Sequence, residues 1–191
     1  ATSVLSRQFM AYCMDSWVKT GKADVPLKLN QILTALDTKD KKRFPFNYLN
    51  YVQDNLTKLV RTFIQTFSAS AGGEDGLDED AKREITNFAM GDGQGGETLQ
   101  SRIFEEFRVI KEHKKAIQAN IDELDGLIKQ LESKPKDSSY EEEMADLRSE
   151  KAALGRVVHD INERNTFEFM SDQGLLPNYA FPEAGIVLKA I

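Results

Sequence analysis

The sequence is short of the side chains that staple or metallate a small protein: its 191 residues include one cysteine, Cys13, and two histidines, His113 and His159. A single thiol excludes an internal disulfide and any cysteine-rich zinc module, and it fits a reducing compartment. Glycine and proline, 12 and 5 residues, are too few for a collagen-like or low-complexity chain. No apolar run approaches the roughly 18 residues of a membrane span, and the first residues lack the basic-then-apolar order of a signal peptide. Missing too are G-x-x-x-x-G-K-[ST], a D-E-A-D-like tetrad and H-E-x-x-H, so this stretch of chain carries no means of hydrolysing ATP by itself. What remains is 29% charged with a mean hydropathy of -0.47, expected to be soluble and cytoplasmic with no membrane partner. It begins Ala1-Thr2 and stops inside Ile186-Val187-Leu188-Lys189-Ala190-Ile191, and both ends read as cut from a longer chain.

The net charge of -6 is unevenly spread. Residues 1–69 carry ten Lys/Arg against five Asp/Glu, residues 70–97 two against eight, and residues 98–191 thirteen against eighteen. The basic first third suits a polyanion or an acidic surface, which an evenly acidic domain would not.

Apolar spacing of threes and fours predicts helices over 3–18, 26–36, 47–68 and 78–90, the second opened by Pro26, whose missing amide a first turn can spare. Ala71 to Gly76 and Gly91 to Gly96 read as loops. From Thr98 the residues Ile103, Ile110, Ile117, Leu124 and Leu131 fall seven apart, flanked by Leu99, Phe107, Ile121 and Ile128. That is the seam of a coiled coil. A second series, Tyr140, Leu147, Leu154 and Ile161 with Met144 and Val158, follows a polar turn at Pro135, where Ser138 with Glu141 and Ser139 with Glu142 fit capping boxes. Helices over 98–133 and 139–172 therefore predict an antiparallel hairpin roughly 45 to 50 Å long. Its seam is interrupted by His113, Lys114, Asn120, Lys151 and Asn165 at or beside apolar positions. The two prolines of Leu175 to Pro182 predict an extended stretch, and Ile186 to Ile191 reads as a strand without partners. The expected fold is all-α, with a helical base over 1–97, the coiled-coil hairpin over 98–170 and an extended segment over 171–191 that returns to the base.

Catalytic chemistry finds no foothold. Gly91, Gly93 and Gly96 fit G-x-G-x-x-G, but an acidic helix precedes them where a dinucleotide site needs a strand, and Asp92 and Glu97 would repel phosphate. His159 and Glu163, four apart on one helix, lack a third metal ligand. Cys13 reads as a small core residue. Lys39, Lys41, Lys42 and Arg43, followed by Phe44 and Phe46, are the one constellation suited to a ligand: clustered cations release counterions from phosphates, and neighbouring aromatics can stack on bases. The competing reading is a solvated loop whose two phenylalanines tuck into the core. Lys111, Lys114 and Lys115, alternating with Glu112, read as a salt-bridged surface.

Two stretches carry a family resemblance: Arg7-Gln8-Phe9-Met10-Ala11-Tyr12-Cys13-Met14-Asp15-Ser16-Trp17, and Asn165-Thr166-Phe167-Glu168-Phe169 through Leu175-Leu176-Pro177-Asn178-Tyr179-Ala180-Phe181-Pro182. They resemble an accessory helical region of large bacterial DEAD/DEAH-box helicases of superfamily 2, beyond the paired motor domains. The resemblance implies an ATP-dependent nucleic-acid translocase as parent, with ATP and Mg bound by domains outside this chain, and DNA as the partner. It also implies that the helix around Phe9 and Trp17 lies against the end of the second hairpin arm and the Leu176 to Phe181 segment. The reading from another class is a protein-interaction adaptor whose hairpin docks a partner helix without touching nucleic acid.

Overall fold

A computed structural model describes residues 2–67 and 78–176, with the backbone alone of 68–70. The expected loop at 71–76, the stretch 177–182 and the strand at 186–191 lie outside the described residues. Within them the chain forms eight helices: α1 (Val4–Val18), α2 (Leu29–Thr38), α3 (Phe46–Asp54), α4 (Leu56–Ser70), α5 (Glu79–Met90), α6 (Leu99–Glu132), α7 (Tyr140–Glu163) and α8 (Thr166–Asp172). No described helix is long and apolar enough to cross a membrane.

α1 is the centre of the base. Phe9, Met10, Cys13, Met14 and Trp17 are buried on it, and α3, α4 and α5 all pack against it. Ser3 starts the helix by accepting from the Ser6 amide, and Gly21, at φ +75°, turns the chain away after its end. Around α1 the core gathers Leu29, Ile32, Phe44, Tyr48, Phe63, Ile85, Leu99, Ile103, Phe107, Phe167, Phe169 and Met170. Removing such side chains from water stabilises the fold by about 1.5 to 3 kcal/mol each.

Three expected boundaries are corrected. α2 starts at Leu29 rather than at Pro26, and the helix expected to run to 172 breaks at Arg164. One cause accounts for both: the Leu29 amide donates to the Arg164 carbonyl at 2.9 Å and the Thr166 amide to the Leu27 carbonyl at 2.8 Å, so Lys28 and Asn165 pair as a single antiparallel bridge. Each backbone leaves the helix to make that pairing. Asn165, expected as a flaw in a heptad seam, is instead the N-cap of α8, its side chain accepting from the amides of Phe167 and Glu168 at 2.9 and 3.2 Å. Asn165→Ala is expected to cost about 1 kcal/mol in urea unfolding, with Asn165→Asp restoring most of it. The helix expected over 47–68 is two, split at Asn55, whose side chain donates to the Tyr51 carbonyl and closes α3.

The capping boxes expected at Ser138 and Ser139 do not form. Asp137 takes that role, accepting both the Ser139 amide (2.9 Å) and hydroxyl (2.8 Å), which holds its carboxyl below the usual range.

α6 serves two cores. Leu99, Ile103 and Phe107 join the base, while Ile117, Ile121, Leu124 and Ile128 are buried farther along. Ile128 forms a small second cluster with Tyr140 and Met144 of α7, with Leu131 and Leu147 packed on it. Lys151 sits in the apolar series yet pairs with Asp125 at 2.5 Å, and Arg148 reaches Glu132 at 3.8 Å. Leu147, Leu154, Val158 and Ile161 remain half-buried, since one neighbouring helix cannot enclose a full stripe.

Candidate nucleic-acid interface

The basic segment follows the last turn of α2. Lys39 adopts a left-handed conformation (φ 54°), and the Asp40 amide returns to the Ala35 carbonyl at 3.1 Å, ending the helix. Cations just past a helix C-terminus face its negative dipole end, a local reason for lysines here besides any ligand. Asp40 then builds a tight turn, its side chain accepting the Lys42 amide at 3.0 Å and its carbonyl the Arg43 amide at 3.2 Å. Arg43 pairs with Asp24 at 3.3 Å and is half-exposed, so it anchors the loop to the chain before α2. Lys39, Lys41 and Lys42 are exposed and have no ion pair among the described residues.

The aromatics beside them are occupied. Phe44 is fully buried, 6.0 Å from the Trp17 ring, 6.0 Å from Tyr48 and 5.9 Å from Phe107. Phe46 rests on Phe104 at 5.6 Å with the Lys41 ammonium 4.6 Å above its face. Both rings thus go the way of the core reading, and base stacking on them has no free face in this arrangement. What the segment offers a ligand is charge.

Tertiary contacts set a second basic group against α2. Lys111 of α6 pairs with Asp37 at 2.6 Å, and Lys114 donates to the Asn30 side chain at 3.4 Å, both partners lying on α2. Lys115 is exposed one turn beyond Lys111, without an ion pair among the described residues. Glu112, expected to pair within this cluster, pairs with Arg108 at 2.9 Å instead. The packing of α2 against α6 sets Lys111 at the loop end of α2 and Lys114 at its other end, so the group leads away from the basic segment.

Compared with known proteins, the chain matches no family model, no curated protein and no solved structure.

The remaining candidates resolve into structure. In the glycine loop Asp92 accepts the amides of Gln94 (2.8 Å) and Gly96 (3.4 Å), which lowers its pKa and takes up donors a phosphate would need. Gly91, Gly93 and Gly95 all have positive φ, as this winding turn requires. Glu163 pairs with Lys28 at 2.5 Å, and no group of three or more His, Cys, Asp or Glu among the described residues could hold an ion. Cys13 is fully buried, and that burial pushes its thiol well up. Native protein at neutral pH is therefore expected to react with a thiol reagent only at the rate of unfolding, and urea-unfolded protein at once. Rapid labelling of the folded chain would contradict the packing of α1.

The stretch from Arg7 to Trp17 and the described part of the stretch that begins at Asn165 meet in the base. Arg7, Gln8 and Ala11 of α1 line a groove of about 280 Å³ with Ser171, Gly174 and Leu176. Arg102 at the start of α6 ties both ends together, its Nε donating to the Thr2 hydroxyl at 2.9 Å and its outer nitrogen to the Gln173 carbonyl.

Proposed function

We propose that this chain is a non-catalytic accessory region of an ATP-dependent DEAD/DEAH-box nucleic-acid helicase, contacting the DNA backbone through Lys39, Lys41 and Lys42. Arg43 anchors their loop. In this reading α7 and the part of α6 beyond Phe107 are the antiparallel arms of a coiled-coil hairpin that projects from the base, shorter than the expected 98–170 because Leu99, Ile103, Phe107, Phe167, Phe169 and Met170 belong to the base core, and ATP and Mg belong to motor domains elsewhere in the parent.

The observation that carries the reading is the set of three exposed lysines on one short, internally bonded turn, without acidic partners among the described residues. Phosphates recognise such a group by charge, with no demand on base sequence. The placement in a helicase rests on the resemblance of the two stretches alone; their described residues share one core, as parts of one region would. That neither Phe44 nor Phe46 offers a free face argues for backbone contact over base recognition at this loop.

Fluorescence anisotropy of a labelled DNA duplex titrated with the chain tests this. Weak binding at about 50 mM salt that disappears near 200 mM is expected, equal for unrelated sequences. No binding at low salt would leave the adaptor reading in possession.

A further inference from the structure

Three of the six large apolar side chains exposed among the described residues, Val109, Leu127 and Val157, belong to α6 and α7. Val109 and Leu127 stand eighteen residues apart, which at about 3.6 residues per turn is five whole turns, so they lie on one line of α6 about 27 Å long. Ala116 falls within about 20° of that line. The Asp125–Lys151 and Glu132–Arg148 pairs show α6 and α7 running in opposite directions. Val157, six residues past Lys151, is thus level with about residue 119 of α6, between Val109 and Leu127.

The two flanks of this helix pair differ. On one, the Asp125–Lys151 and Glu132–Arg148 pairs bridge a groove shared with Lys129, Ala152 and Gly155. On the other, acids predominate beside the apolar stripe: Glu123 sits one turn before Leu127, and Glu150 and Glu143 fall seven and fourteen residues before Val157, while of the basic groups near it His113 sits one turn after Val109 and Arg164 is paired with Asp172. All three glutamates are exposed and have no ion pair among the described residues. A second copy of this chain would bring these carboxylates against their equals, which disfavours it as the occupant.

We propose that the Val109, Val157 and Leu127 face is a docking surface for an amphipathic helix of a partner protein, one whose apolar stripe is bordered by lysine or arginine. A third helix laid there covers the exposed valines and leucine and pairs Glu123 and Glu150 at its edges. The inference goes beyond the DNA reading and does not rest on it, since the basic loop and this face share no residue.

The test uses the whole chain and two fluorescent helical peptides of about 20 residues, each with a leucine stripe, one edged by lysine and the other by glutamate. The lysine-edged peptide is expected to bind and the glutamate-edged one not. Leu127→Gln with Val157→Gln should weaken binding at least about tenfold, as should Glu123→Gln with Glu150→Gln, while Ala152→Gln on the opposite flank leaves it unchanged. Circular dichroism should be the same for all, because every replaced side chain is exposed. Failure of the lysine-edged peptide to bind, equal binding of both peptides, or full binding by the Leu127/Val157 variant would overturn the proposal. So would a wild-type dimer in sedimentation that the same variant abolishes, which would make a second copy the occupant.

Discussion

Trp17→Ala is expected to destabilise the chain by about 3 to 5 kcal/mol, the range for truncating a large aromatic in a packed core. Trp17 is only 3% exposed, and its ring lies 5.2 Å from Tyr48 and 6.0 Å from Phe44. Through Phe44 the cluster continues to Phe107 on α6, and from there to Phe169 on α8 at 5.5 Å. The side chain therefore sits where helices from both ends of the sequence and from the basic loop converge. Small domains hold about 5 to 15 kcal/mol in all, so the loss removes a large part of the total. Denaturant unfolding should show a much lower midpoint at nearly unchanged slope. Trp17→Phe, which keeps the aromatic contact with less volume, should cost well under half as much. A Trp17→Ala chain as stable as the original would mean that α1 is not the centre of the base.

Reversing the charge of Lys39, Lys41 and Lys42 together to glutamate is expected to abolish DNA binding at every salt concentration. The change is six units on one turn, against a chain whose net charge is already -6. Folding should survive, since all three side chains are exposed and their loop is held by Asp40 and Arg43. A matched deletion of the outer turns of α6 and α7 should leave DNA binding intact. Binding lost with those turns and kept in the glutamate variant would move the interface off the loop.

The helices were legible where their signal is local. The heptads of α6 show in the sequence because a period of seven needs no knowledge of partners, and Asp78, Thr98 and Ser3 cap the helices they precede. The breaks at Lys28 and Arg164 were not legible, because each exists to pair with the other across the fold. Asn165 followed by Glu168 did carry a local cap signal, and the apolar periodicity around it concealed it. The basic loop was visible as charge. The fate of Phe44 was not, since an aromatic beside lysines reads the same whether it meets a base or Trp17 and Phe107. Nor does sequence disclose that Lys111 and Lys114 turn toward α2, which depends on helix packing alone.

The salt dependence of DNA affinity tests the central claim most directly. Each lysine that neutralises a phosphate adds about 0.9 to the fall of log affinity with log salt on duplex DNA. Replacing Lys39, Lys41 and Lys42 by glutamine should therefore lower that slope by about 2 to 3, alongside the loss of affinity. An unchanged slope in the glutamine variant would contradict the assignment of these three lysines to the DNA backbone.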